Sequence, residues 1–319
     1  MINVGVIGTG HFGKEHARVY RSSDLANLVA VCDTDEKTGR ARAEHLNVPF
    51  EPDFRKLIGK VDAVSLAVPT DSHHRIACEL IEAGISVLVE KPMARTLDEA
   101  DEMIALAQRR GVVLQVGHLE RFNPAVIAAT KIVTRPGFFE ADRLSLFTPR
   151  SLDIDVVMDL MIHDIDIVLS LVKCPAAEIR AAGVPVITPR IDIANARIEF
   201  TNGCVANLTA SRVSGERVRK LRFFQPNEYV SIDYSAQEAA TVSIERAATV
   251  PLPKFNSHLL PVERDEPLRL EIQSFLAAVS GAPIEVTGTD GRNALELALG
   301  ITQKIDEHLK KTRAPYEHP

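Results

Sequence analysis

Residues 3–32 read as an apolar run, a glycine loop, a helical stretch and a second apolar run, and that order leaves little choice of fold. Residues 3–7 are a short Val/Ile segment, Gly8-Thr9-Gly10-His11-Phe12-Gly13 follows directly, residues 14–22 have helical spacing, and residues 28–32 are apolar again. Strand, tight turn, helix and strand make a βαβ unit. In such a loop the first glycine permits the turn, the second lets a pyrophosphate approach the backbone, and the third allows close helix packing. The helix start supplies amide donors and its dipole. Gly8, Thr9, Gly10, His11, Phe12 and Gly13 are therefore the predicted phosphate loop. Asp33 lies 20 residues beyond Gly13 at the end of the second strand, where a carboxylate accepts hydrogen bonds from both ribose hydroxyls and repels a 2′-phosphate. No arginine follows it directly (Thr34, Asp35, Glu36), so the expected cofactor is NAD and not NADP.

The alternation continues, with helical patterns at 36–46, 74–83 and 97–110 between apolar runs at 63–67, 86–89 and 112–116. Strands this apolar are buried on both faces, as in a parallel sheet flanked by helices. After Gly117 the character changes. A helix at 123–133 leads to alternating segments at 140–146, 179–187, 194–200, 204–212, 218–225, 229–233 and 240–245, with Asn202-Gly203 marking a hairpin. The fold class expected is α/β: an N-terminal Rossmann parallel sheet plus a C-terminal α+β domain with a mainly antiparallel, open-faced sheet. Residues 1–118 would form the NAD-binding domain and residues 119–319 the substrate-binding and oligomerisation domain. An open, partly apolar sheet face would favour a homodimer or homotetramer. Residues 246–267, with four prolines, read as a long loop, followed by closing helices at 268–280 and 292–310.

Composition narrows the function class. Thirty-seven basic residues against 43 acidic ones give a net charge of −6, and the basic residues are dispersed, so neither nucleic acid nor a membrane surface is the expected partner. The four cysteines form no CxxC pair, which indicates neither a disulfide framework nor a zinc site. His73-His74 makes a poor metal pair, because adjacent residues point in different directions and no carboxylate cluster accompanies them; capping or packing beside the cofactor is expected instead, and no metal. The start of the chain leaves no room for a cleavable signal and no stretch is apolar enough to span a bilayer, so a cytoplasmic protein is expected.

Two further segments bear on chemistry. Glu90-Lys91-Pro92 closes the strand at 86–89, where ligands sit in open α/β sheets, and proline restricts the residue before it. A lysine there stabilises a reacting oxygen, although the tripeptide alone also suits a surface turn. Residues 156–172 form an apolar helix interrupted by Asp159, His163, Asp164, Asp166 and Ser170; Asp159, His163, Asp166 and Ser170 are spaced 4, 3 and 4, in one stripe. One reading is a satisfied core network around His163. The other is an acid/base histidine oriented by a carboxylate. His118, Glu120, Arg121 and Asn123 follow the last Rossmann strand and either open into a cleft or form a linker.

As a set, these residues resemble the Gfo/Idh/MocA family of oxidoreductases. The resemblance covers nearly the whole chain, through Val6-Ile7-Gly8-Thr9-Gly10, Pro69-Thr70 with His74, Glu90-Lys91-Pro92, Asp159-x-x-x-His163 and the late stretch 286–291. It implies a catalytic group of Lys91, Asp159 and His163: His163 takes the hydroxyl proton as hydride leaves the sugar carbon, Lys91 polarises the hydroxyl, and Asp159 orients the group. It also implies cofactor contacts from Pro69, Thr70, His74, Glu90, Lys91 and His118 besides the glycine loop and Asp33. Fragments 117–124 and 155–166 point within the family to enzymes of nucleotide sugars, with UDP-N-acetylglucosamine oxidised at its 3-position as the implied reaction. Arg121 and Arg150 would contact the diphosphate, with Asn123, Lys91, Asp159 and His163 completing the substrate contacts. An inositol or simple sugar is the alternative substrate. A non-catalytic NAD- and sugar-binding regulator is the alternative of another class.

Overall fold

The computed structural model describes residues 1–148, 154–245 and 253–312. The chain falls into two compact units, Met1–Phe122 with Asp265–Leu295, and Asn123–Arg264 with Glu296–Pro319.

The first unit is built on β1 (Ile2–Ile7), β2 (Ala26–Cys32), β3 (Phe50–Glu51), β4 (Ala63–Leu66), β5 (Ser86–Glu90) and β6 (Leu114–Gly117), all parallel, in the order β3-β2-β1-β4-β5-β6. Helices α1 (His11–Arg21), α2 (Glu36–Leu46), α3 (His73–Glu82) and α4 (Leu97–Arg110) connect the strands. Val4, Val6, Val31, Val64, Leu66, Val87, Val89 and Val116 are fully buried, which is why these strands read as unbroken apolar runs instead of alternating ones. Strand order reverses between β1 and β4, and the crevice at such a reversal is where this architecture binds ligands.

The division at 118/119 expected from chain order differs from the observed units in one large respect: residues 265–295 return to the first. Leu268, Ile272, Phe275 and Leu276, all on α7 (Pro267–Val279), join a core with Val4, Tyr20 and Leu28. Val286 accepts from the Val116 amide at 3.1 Å, and Thr287 bridges to Gln115, extending the free edge of β6. Gly288 and Gly291 lie so close to Ile104 and Val116 that an added Cβ would come within 2.8 and 2.6 Å of them. The glycines of this stretch are packing residues.

The second unit carries eight strands, β7 (Phe138–Leu144), β8 (Ala176–Val184), β9 (Ile193–Phe200), β10 (Val205–Ser211), β11 (Val218–Gln225), β12 (Glu228–Asp233), β13 (Glu238–Glu245) and β14 (Lys254–Leu259), in the order β14-β13-β12-β11-β7-β10-β9-β8. Only β7 and β10 run parallel; every other neighbouring pair is antiparallel. β14 lies inside the segment expected to be a loop. Its residues are mostly exposed, so no burial alternation marks it, and its pairing to β13 comes from the backbone alone. Phe139, Ala141, Ala196, Ile198, Leu208, Leu221, Phe223 and Val230 bury one face beneath α5 (Pro124–Thr130) and α6 (Ile162–Val172). The opposite face is mixed: Glu140 pairs with Arg222 at 3.5 Å beside a cluster of Phe138, Phe224 and Tyr229. The long α8 (Gly288–Thr312) starts in the first unit and ends in the second. Among the described residues no helix is long and apolar enough to cross a membrane.

Candidate active site

The glycine loop sits at the end of β1, at the point of strand reversal. Gly8 has φ +88°, and a Cβ there would collide with the Ala67 carbonyl of the loop after β4; a Cβ at Gly13 would collide with the Gly8 carbonyl. Both glycines are demanded by packing within the unit. Gly10 differs, because nothing lies within 4 Å of where its Cβ would be. It also caps α1 without a side chain, and α1 has no acid in its first turn, so no cap side chain satisfies the amides at this helix start. Open space above a bare backbone, facing donors at the positive end of a helix, fits a pyrophosphate.

Asp33 is held in place before any ligand arrives. Its Oδ2 accepts from the Thr9 amide at 2.6 Å and the Thr9 hydroxyl at 2.7 Å, and its Oδ1 accepts from the Asp35 amide at 2.9 Å. Each carboxylate oxygen retains acceptor capacity for a ribose hydroxyl. Thr9, 1% exposed, thus serves the site by orienting Asp33. The acid is half-buried, and an accepting carboxylate here fits NAD better than a cofactor with a 2′-phosphate.

β5 ends at Glu90, and Lys91 follows on a half-buried position before a cis bond to Pro92. Glu90 turns toward α1: its Oε1 lies 2.9 Å from His16 Nε2, while His16 Nδ1 meets Ser65 Oγ at 3.0 Å and Ser65 Oγ meets the Tyr20 hydroxyl at 2.9 Å. Burial works to raise the Glu90 carboxyl, but the hydrogen bond to His16 and the charges of His16, Lys91 and His73 outweigh it and hold Glu90 below the ordinary carboxylate range. His73 is buried, with Nδ1 2.9 Å from the Pro92 carbonyl and Nε2 2.9 Å from the Val68 carbonyl, so it ties the loop after β4 to the one carrying Lys91. Burial lowers its basicity. The sequence pattern did not select His16 and considered His73 only as a poor metal ligand, since a histidine within a helix carries no signal of what it faces.

Pro69 and Thr70 lie at the end of β4 beside the glycine loop; Pro69 is exposed and Thr70 half-buried. His74 points to α4, 2.9 Å from Glu102, and its ring, the Cys78 sulfur and the Glu102 carboxylate lie within 4.8 Å of one another. A carboxylate does therefore accompany this histidine, supplied from 28 residues away in sequence. His11 and Phe12 are exposed at the start of α1 with their rings 5.4 Å apart, and His118 is buried at the end of β6. Arg121 lies 3.7 Å from Asp290. Asn123, expected to meet a substrate, caps α5 through the Ala125 amide at 3.1 Å and donates to the Tyr234 carbonyl at 3.0 Å; both its polar ends are used within the second unit. Arg150 lies outside the described residues.

In the second unit, Asp159 and His163 are both half-buried, but the segment expected as one α-helix begins as a π-helical turn, Val157–Met161, before α6. Asp155 caps that turn, accepting from the Val157 and Met158 amides at 2.9 and 3.0 Å, and burial raises its carboxyl above the ordinary range despite them. Such a turn is common at functional positions and shifts Asp159 relative to ideal helical register. Behind the same helix Arg143 of β7 grips Asp164 with two hydrogen bonds, 2.8 and 2.9 Å, both residues buried. The Arg143 guanidinium also lies 5.0 Å from the centre of the Tyr234 ring. Asp166, placed in the polar stripe by spacing, is 1% exposed, and Ser170 donates to its own helix, to the Ile167 carbonyl.

Comparison with known proteins agrees with this layout. Residues 2–118 match the model of an oxidoreductase family with an NAD-binding Rossmann fold, and residues 134–225 match the GFO/IDH/MocA C-terminal domain. The UDP-N-acetylglucosamine 3-dehydrogenase of Acidithiobacillus ferrooxidans is 36% identical over 313 residues, covering 97% of this chain and 99% of that protein. A solved structure of that enzyme superposes with a TM-score of 0.91 over 97% of this chain and 99% of its own. The inositol 2-dehydrogenase of Rhizobium meliloti is 25% identical over 328 residues, 96% of this chain and 97% of that protein. The chain belongs to the Gfo/Idh/MocA family of oxidoreductases, with an NAD-binding Rossmann fold.

Proposed function

We propose that this protein oxidises the 3-hydroxyl of a UDP-linked N-acetylhexosamine, UDP-N-acetylglucosamine being the best fit. The observation that carries this reading is end-to-end similarity to a UDP-N-acetylglucosamine 3-dehydrogenase, together with a first unit whose loop at Gly10 and acid at Asp33 suit NAD. Gly8 to Gly13, Asp33, Pro69, Thr70, His74, Glu90, Lys91 and His118 form the cofactor set, and Lys91, Asp159 and His163 the catalytic one. NAD, when bound, accepts the hydride from the sugar carbon. Lys91 polarises the hydroxyl and stabilises the oxygen as negative charge develops on it. His163 accepts the hydroxyl proton, so that the C–H electron pair leaves and the C=O bond forms; Asp159 holds the imidazole in the accepting tautomer and raises its basicity. Arg121 and Arg150 bind the diphosphate. The mixed face of the eight-stranded sheet, with its aromatic cluster, is the surface for homodimer or homotetramer formation. Four unpaired cysteines suit a reducing, cytoplasmic setting.

Thermal melting with NAD present separates this reading from an inositol or simple-sugar dehydrogenase. Stabilisation by UDP-N-acetylglucosamine and not by inositols is expected; the reverse pattern overturns it.

A further inference from the structure

Glu271 on α7 is the most unusual side chain of the first unit. It is 0% exposed, and neither carboxylate oxygen has a hydrogen-bond partner among the described residues. It stands at the end of the His16–Glu90 pair, with a carboxylate oxygen of each glutamate and a ring nitrogen of His16 all within 4.8 Å of one another. An ionised carboxylate in that position would lie unsolvated beside a second one, the least favourable arrangement available to it. Each surrounding element contributes a group. α1 supplies His16 and Tyr20, β5 supplies Glu90 followed by Lys91, and β6 supplies the neutral Gln115, whose Nε2 donates to the Glu271 carbonyl at 3.3 Å. The turn Leu119–Phe122, packed on α7, carries Glu120 and Arg121, the latter facing Asp290. His73 adds its influence on Glu90 from α3.

We propose that Glu271 stands as an un-ionised acid, so that the cluster's single carboxylate charge rests on Glu90 beside the Lys91 ammonium. Glu271 is then a positioning residue for Lys91, acting through Glu90, an assignment that rests on the catalytic role given to Lys91 above. Burial first, and the charge of Glu90 second, push the Glu271 carboxyl well above its ordinary range. The two glutamates divide one proton between them as carboxyl pairs do, but here the division is fixed: Glu90 has a hydrogen-bonding histidine and a lysine, and Glu271 has neither.

The protonation claim is testable without any turnover. Infrared spectra of the whole protein at neutral pH are expected to contain the carbonyl stretch of an un-ionised carboxyl, absent in Glu271→Gln and titrating at lower pH in Glu90→Gln. A group whose folded pKa is raised contributes stability that is complete below its unfolded pKa and is lost as pH rises through the folded one. The melting temperature of Glu271→Gln is therefore expected to climb relative to wild type from about pH 5 upward. The positioning claim is read from the pH profile of kcat/KM, which changes in Glu90→Gln, where the carboxylate beside Lys91 is lost, and keeps its wild-type form in Glu271→Gln, where one neutral group replaces another. Absence of the infrared band in folded wild type, a melting difference flat with pH, or a kcat/KM profile that changes in Glu271→Gln overturns the proposal. So does a stoichiometric metal ion held by His16, Glu90 and Glu271. Because the first two readouts need no substrate, a wrong substrate assignment leaves them intact.

Discussion

Gly10 and Gly13 stand three residues apart in one loop and are expected to respond oppositely to a methyl group. At Gly13 the methyl meets the Gly8 carbonyl and backbone must move, so Gly13→Ala is expected to destabilise the protein by about 3 kcal/mol, read as a fall in melting temperature. At Gly10 the methyl enters open space, so Gly10→Ala keeps the wild-type melting temperature and instead weakens NAD binding by about tenfold or more, roughly 1.4 kcal/mol, measured by calorimetry. Lys91→Met and His163→Ala are expected to lower kcat by about 10²- to 10⁴-fold, with NAD affinity near wild type in His163→Ala. Full turnover in either variant contradicts the catalytic assignment. The same scale bears on the division of charge at the end of β5: two carboxylates within 4.8 Å repel by roughly 3 kcal/mol at an effective dielectric of about 20, which adds to the larger burial cost of ionising Glu271.

Among elements, α6 and the π turn before it bear most on the proposed chemistry, because they carry His163 and Asp159. The helix is fixed to β7 by the buried Arg143–Asp164 pair. Arg143→Met leaves the Asp164 carboxylate buried and uncompensated, and is expected to cost about 3–5 kcal/mol in denaturant unfolding, with a matching loss of kcat. A stability change below about 1 kcal/mol would place the pair among ordinary surface contacts. Elements whose burial follows their periodicity were legible in the sequence: β1, β2, β4 and β5 as apolar runs, β9 to β13 as alternating ones. β14 was not, since an exposed edge strand takes its order from its neighbour's backbone. The π turn was not, since its residues have ordinary helical spacing until the extra residue is accommodated.

Over the whole molecule, the sequence singles out the glycine loop, Asp33 and Lys91 as candidates because each follows an apolar strand, and strand ends are visible in sequence. The partners of Asp33 and Glu271 were invisible, because they arrive from afar: Thr9 to Asp33 across 24 residues, and Gln115 to the Glu271 backbone across 156. The return of 265–295 to the first unit was hidden for the same reason, since the neighbours of Gly288 and Gly291, Ile104 and Val116, lie far away in sequence. Asn123 likewise has partners that its sequence position did not reveal, the Ala125 amide and, 111 residues away, the Tyr234 carbonyl. The direct test is NADH formation, followed by absorbance, with UDP-N-acetylglucosamine, other UDP-sugars, myo-inositol and free N-acetylglucosamine offered in parallel at equal concentration. NADH produced from UDP-N-acetylglucosamine, and lost in Lys91→Met, is the expected result; turnover of myo-inositol or a free sugar with none of any UDP-sugar would contradict it.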